Sequence, residues 1–231
     1  MVWAAEPSIG LRFEKVDKRY GAVYALRNLT LAIAPGECVA LAGRNGSGKT
    51  TLLRIASCLT RPTRGTLSFS GVAENQNPRG GFVAHATMVY DELTAKENLV
   101  FFAKLLGVAN RQQRVDELLR EVGLGERKDS LVRTFSRGMR QRVAIARALL
   151  ADPSLLLFDE PATGLDPEAT LWLTGHLAKL RDSGCTILMS LHGESEVARL
   201  ATRAVRLDAG SVVADTRSGA TFQSVFSFAG G

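Results

Sequence analysis

At 231 residues, with 45% apolar and 23% charged side chains, the chain has an ordinary globular balance far from the disordered regime. No apolar run approaches the roughly 18–20 residues that span a bilayer, and the start MVWAAEPSIG lacks the basic and apolar stretches of a secretory signal, so a cytosolic chain is expected. The net charge of +6 attracts anions, but the Lys and Arg residues are scattered without a dense run, which makes nucleic acid an unexpected partner.

Along residues 11–42 the sequence reads as short strands separated by turns. LRFEKV alternates apolar and polar residues as a half-buried strand does, LRNLTLAI repeats the pattern after Gly21, and CVALAG follows the Pro35-Gly36 turn as a short buried strand. From Gly48 the pattern turns helical, with Leu52, Leu53, Ile55 and Ala56 apolar; GTLSFSG is then a further strand, ending in the turn-rich ENQNPRGG. Residues from about 94 to 151 read mostly as helix. Thr94 and Glu97 form a capping box before ENLVFFAKLLG, and RQQRVDELLREVG places Val115, Leu118, Leu119 and Val122 on one helical face. RGMRQRVAIARALLA is another amphipathic helix. Beyond Pro153, LLLF and TILMSL are apolar runs suited to a parallel sheet buried on both faces, with a helix between them from about Pro167. AVRLDAGSVVAD is a hairpin turning at Asp208-Ala209-Gly210, and the tail after Thr216 gives no clear signal. Cys38, Cys58 and Cys185 are widely separated, without a CxxC pair, and are expected to be reduced and mostly buried.

The segment GRNGSGKT, residues 43–50, matches G-x-x-x-x-G-K-[ST] between a predicted strand and a predicted helix, the context a phosphate loop requires. Gly43, Gly46 and Gly48 let the backbone curl so that N–H groups face phosphate oxygens, aided by the positive end of the helix dipole. Gly43, Arg44, Asn45, Gly46, Ser47, Gly48, Lys49, Thr50 and Thr51 are therefore the expected stretch that binds nucleotide phosphates. Lys49 is expected to reach the β- and γ-phosphates, and the Thr50 hydroxyl to bind Mg²⁺. LLLFDEP, residues 155–161, delivers Asp159 and Glu160 at the carboxyl edge of the sheet beside that loop. Asp159 suits the Mg²⁺ shell, usually through water, and Glu160 suits the general base that polarises an attacking water.

Ser136-Arg137-Gly138-Met139 before the helix RQRVAIARALL, shortly upstream of Asp159-Glu160, completes a pattern that resembles the nucleotide-binding subunits of ABC transporters over almost the whole chain. The resemblance implies an α/β P-loop NTPase fold of the ABC nucleotide-binding type, with an antiparallel β subdomain and an inserted α-helical subdomain. It implies a single domain over 9–231, its core at 9–85 and 152–215 and its helical part at about 86–151. ATP and Mg²⁺ are the implied cofactors, and a second ATPase subunit and transmembrane permease subunits the implied partners, at the inner face of the cell membrane. Within the resemblance, Ser136 and Gly138 bind the γ-phosphate held on the opposite subunit, and Tyr20, with Tyr24 a rival, stacks on adenine. Gly164-Leu165-Asp166 crosses the dimer interface, and His192 contacts the γ-phosphate and orders the water with Glu160.

The sequence departs from the family pattern where glutamine is usual, at His85, which either keeps a water-mediated Mg²⁺ contact or serves only the docking surface. Arg137 and Met139 stand where glycine and glutamine are usual. His85, DELTAKENLVFFAKLLG and the compact length are similar to haem-exporter ATPase subunits of cytochrome c maturation, with drug or lipid exporters as competitors. A soluble ABC ATPase acting on nucleic acid or ribosomes is the alternative class. One cassette without a long coiled coil between Gly43 and Asp159 argues against it.

Overall fold

Period-two alternation in three buried strands divides the interior into two cores. In the computed structural model, which describes residues 8–72, 78, 80–84, 86–191 and 197–227, the runs CVALA (β3, Cys38–Ala42), LLLFD (β6, Leu155–Asp159) and TILMS (β7, Thr186–Ser190) are buried at every position. Successive strand side chains point to opposite faces. Cys38, Ala40, Leu156, Phe158, Ile187 and Met189 accordingly enter one core, and Val39, Leu41, Leu155, Leu157 and Leu188 the other. Each fully buried large side chain contributes roughly 1.5–3 kcal/mol, so the carboxyl ends of these strands are firmly placed.

With β5 (Gly80–Val83), β8 (Arg203–Asp208) and β9 (Ser211–Asp215) they make a six-stranded sheet in the order β5-β6-β7-β3-β8-β9, parallel except for the last pair. A separate three-stranded antiparallel sheet, ordered β2-β1-β4, comprises β1 (Gly10–Tyr20), β2 (Val23–Ile33) and β4 (Arg64–Ser70). The alternating LRFEKV run sits in β1, with Leu11, Phe13 and Val16 in the core shared with α1 (Lys49–Ala56).

Between β5 and β6 the described residues form α2 (Ala95–Leu105), α3 (Arg111–Glu121) and α4 (Arg137–Ala148), with short 3₁₀ turns between α3 and α4, and the α-helices pack on the other face of the large sheet. The α2 capping box is present: Glu97 N donates to Thr94 Oγ1 at 3.1 Å, and Thr94 N donates to Glu97 Oε2 at 2.8 Å. Val115, Leu118, Leu119 and Val122 are all buried, as their spacing predicts. Helix α5 (Pro167–Asp182) follows β6 and opens on Asp166, whose Oδ1 accepts from Ala169 N at 2.7 Å. The β8–β9 hairpin turns through Ala209 and Gly210, both at positive φ.

The structure adds detail in two places. The tail, which carries no clear signal in sequence, forms a short 3₁₀ turn at Thr216–Ser218 and α6 (Phe222–Phe226). The helix opens on a capping box from Thr221 and is anchored by buried Val225 and Phe226; five residues are too few for the apolar period to show. Of the cysteines, Cys58 is exposed after the end of α1, whereas Cys38 and Cys185 are buried, and burial pushes both of those thiols up to about 12. The ENQNPRGG turn lies largely outside the described residues.

Candidate functional site: a phosphate loop facing paired carboxylates

The phosphate loop connects β3 to α1 at the carboxyl edge of the sheet. Gly48, the residue before α1, has φ +108°. A β-carbon there would lie 2.6 Å from Ala25 O and 2.7 Å from Leu26 Cδ2, so both backbone conformation and space demand glycine. Lys49 is 6% exposed, and its Nζ donates to Gly43 O at 2.6 Å and Arg44 O at 3.1 Å across the loop. Burial pushes its ammonium below the ordinary lysine value, while Glu160 and Asp159 act in the opposite direction. The two carboxylates of the β6 end thus face the loop lysine electrostatically.

Asp159 is 2% exposed and its Oδ1 accepts from Ser190 Oγ at 2.7 Å. Register explains the contact, since β6 and β7 run parallel with Asp159 opposite Ser190. Ser190 was missed in the sequence. Its signal is a hydroxyl, one of two with Thr186 in the otherwise apolar run TILMSL, and it acquires meaning only with the strand pairing. Glu160 stands beyond the strand end at φ +58°, the left-handed region, which costs a residue with a β-carbon roughly 1–2 kcal/mol. Its N–H donates to Ser190 Oγ at 3.0 Å, and its Oε2 accepts from Thr163 Oγ1 at 3.3 Å.

A cleft of about 870 Å³ brings together Tyr20, Asn45, Thr50, Arg54, Asp159 and Glu160. Tyr20 is 49% exposed there with the Lys18 ammonium 5.1 Å from its ring centroid, whereas Tyr24 carries Arg19 and Arg27 against its ring, at 4.8 and 5.0 Å, and does not line the cleft. Ser136 and Gly138 also stand outside it, at the N-terminus of α4, where Ser136 Oγ accepts from Met139 N at 3.3 Å. The exposed stem of Arg137 packs against Gly164. Arg142 approaches Asp166 at 3.5 Å. His85 and His192 lie outside the described residues.

The residues fit a nucleoside triphosphate. Ser47 Oγ is buried in the loop with no hydrogen-bond partner among the described residues, an acceptor and donor left for a ligand. Exposed loop positions Arg44, Asn45, Gly46 and Thr50 surround it. Among the described residues no three acidic, histidine or cysteine side chains gather into a metal cage. Thr50 and Asp159 together suit Mg²⁺ instead, which favours one or two protein oxygens completed by water and phosphate.

The family model described as ABC transporter matches residues 26–163. "Nod factor export ATP-binding protein I" of Cupriavidus metallidurans is 39% identical over 212 residues, covering 89% of this chain and 70% of the relative. "ABC transporter ATP-binding protein NatA" of Bacillus subtilis is 38% identical over 211 residues, covering 87% and 84%. Among solved structures, the ATP-binding cassette MJ0796, in a dimeric post-hydrolysis state bound to ADP and Pi, matches with a TM-score of 0.80 and 31% identity. The match covers 89% of this chain and 97% of that one. The chain belongs to the ABC transporter family and is one of its ATP-binding, ATP-hydrolysing cassettes.

Proposed function

We propose that this cassette works as a symmetric dimer that closes on two Mg-ATP, hydrolyses them, and so drives export through separate membrane subunits. The observation that carries the reading is that Thr50, Asp159, Glu160 and Tyr20 line one cleft. Lys49 neutralises the transferring phosphate, the loop amides from Gly43 to Thr51 cradle the triphosphate, and Tyr20 stacks on the base. Thr50 and Asp159 hold Mg²⁺, which when bound offsets charge on the β- and γ-phosphates. Glu160 accepts the proton of the attacking water, and His192 orders that water. Ser136 and Gly138 face the opposite subunit's nucleotide, which accords with their place outside this chain's own cleft and with the dimer described for MJ0796. For His85, outside the described residues, the proposal keeps two roles open, a water-mediated Mg²⁺ contact or service at the docking surface only. We further propose the division into an α/β core and a helical subdomain of about 86–151, so that closure moves the Ser136 end relative to the phosphate loop.

Docking to membrane subunits is supported by an apolar patch. Leu59, Met88, Tyr90, Phe101, Leu105 and Leu106 are each 40% exposed or more. Leu105 and Leu106 line a groove of about 730 Å³ between β5 and the ends of α2 and α4. Leu59 and Met88 line a neighbouring one of about 340 Å³ and also reach the nucleotide cleft, and Phe102, which lines both grooves, packs against the rings of Tyr90 and Phe101. Contiguous exposed apolar surface of this kind marks a contact site. Among the described residues no helix is long and apolar enough to cross a membrane.

Export as the direction is supported by relatives named for Nod factor export. Haem as cargo rests on the sequence likeness at His85, DELTAKENLVFFAKLLG and the compact length, and the relatives reported above are named otherwise. Glu160→Gln protein, purified with Mg-ATP from gently solubilised membranes, tests the whole reading. ATP should remain bound while turnover falls about 10²- to 10⁴-fold, and membrane subunits should co-purify. A haem Soret band in that complex selects haem export; its absence selects another cargo. Wild-type turnover would remove Glu160 as the base, and ribosomal or DNA-bound material without membrane protein would overturn the transport assignment.

A further inference from the structure

A strained residue at a reacting centre persists only where its surroundings over-determine it, and Glu160 is held from two sides. On one, its N–H donates to Ser190 Oγ at 3.0 Å and Ser190 O at 3.3 Å. On the other, its carbonyl accepts from Thr163 N at 3.2 Å and its Oε2 from Thr163 Oγ1 at 3.3 Å. Thr163 therefore grips both the backbone and the carboxylate of one residue. Its own position is fixed in turn. Leu165 N donates to Ala162 O at 3.1 Å, and Gln141 Nε2 on α4 donates to Pro161 O at 3.4 Å. Arg137 lies along Gly164 so closely that a β-carbon there, at φ +83°, would come within 2.8 Å of Arg137 Cδ.

We infer that Thr163 is a positioning residue for the Glu160 carboxylate, with Ser190 fixing the backbone and the Arg137 contact on Gly164 setting where Thr163 stands. This rests on the assignment of Glu160 as the base. Arg137, standing where the family pattern has glycine, thereby has a use within its own chain: the start of α4 is mechanically joined to the turn that aims Glu160. The Thr163 hydroxyl donates to the oxygen it reaches and so removes one rotational freedom of the carboxylate before a water is engaged.

The test is steady-state and single-turnover ATPase on the full chain, with ATP affinity and thermal midpoint measured in parallel. Thr163→Val keeps the shape and removes the donor, and should lower kcat about tenfold while KM and ATP affinity stay within about twofold. Thr163→Ser, which restores a hydroxyl, should recover to within about twofold of wild type. In a Glu160→Gln background, Thr163→Val should change the single-turnover rate no further. Thr163→Ala replaces valine if the midpoint shows that valine disturbs the turn. A Thr163→Val protein as fast as wild type overturns the inference, as does a Thr163→Ser protein as slow as the valine variant. An equal loss in the Glu160→Gln background does the same. Wild-type turnover by Glu160→Gln alone would instead remove the base assignment, a separate result read in the same series.

Discussion

Arg203 at the start of β8 offers a perturbation whose magnitude follows from its partners. It is 5% exposed, and its Nη1 donates to Ala32 O at 2.7 Å and to Glu37 Oε2 at 3.3 Å. Nε reaches Asp215 Oδ1 at 2.9 Å and Nη2 reaches Asp215 Oδ2. Arg217, half-exposed, is a further cation on Glu37 at 2.9 Å. Replacement by methionine keeps much of the stem but leaves two largely buried carboxylates with one peripheral cation between them. Removing one partner of a buried pair costs about 3–5 kcal/mol, because the remaining charge is uncompensated. Scaled to 231 residues, that is a fall of roughly 6–10 °C in thermal midpoint.

The double variant Arg203→Met/Asp215→Asn should recover part of this loss, since it removes a stranded charge as well as a contact. Acid titration gives an independent readout. The hydrogen bond from Arg203, foremost, holds the Asp215 carboxyl below the usual carboxylate value. A depressed folded value means that Asp215 contributes stability above its unfolded value of about 3.9 and loses it as pH falls through the folded one. Urea midpoints from pH 6 down to pH 3 should therefore fall less steeply in Asp215→Asn than in wild type. A midpoint shift below about 2 °C for Arg203→Met, or a double variant no better than the single, would refute the account.

Two further outcomes bear on the site and its partners. Gly48→Ala forces a β-carbon into Ala25 O and Leu26 and should weaken ATP binding roughly 10- to 100-fold, measured by nucleotide titration on protein that keeps its circular dichroism; unchanged affinity would show that the loop tolerates a side chain there. Leu105→Asp alters a residue 67% exposed, so stability should move by less than about 0.5 kcal/mol and ATP affinity should hold, while membrane subunits cease to co-purify. Undiminished co-purification would place the docking surface elsewhere.

What the sequence disclosed and what it concealed divide along a physical line. The phosphate loop was legible because its glycines, lysine and threonine act locally, between a strand and a helix adjacent in the chain. The Thr94 cap and the Val115–Leu118–Leu119–Val122 face were legible for the same reason. The order of β6, β7 and β3 was not, since runs buried on both faces carry no alternation from which to read neighbours. Ser190 is the consequence: its two side-chain bonds depend on the parallel register that sets it opposite Asp159. Arg203 was equally silent, because Ala32, Glu37 and Asp215 reach it from both ends of the chain. The strain at Glu160 follows from no local signal, for a glutamate after an aspartate reads as an ordinary acidic turn.

The same topology separates stability from chemistry. In parallel pairing, Val39 stands opposite Arg203 at the amino ends of β3 and β8, so the Arg203–Glu37–Asp215 cluster occupies the edge of the sheet opposite the phosphate loop. Glu160, Thr163 and Ser190 lie at the carboxyl edge, where ligands bind in open α/β sheets. The strands between the edges are buried at every position and close-packed, so a lost ion pair at one end is resisted by the core before it displaces the other. Arg203→Met should then lower the melting midpoint and leave kcat unchanged at temperatures well below it. Thr163→Val should lower kcat and leave the midpoint unchanged. The two variants thus distinguish a site held by its own hydrogen bonds from one that merely inherits the stability of the fold. If kcat fell in step with the midpoint in both, the clamp on Glu160 would be no more than an extension of the core.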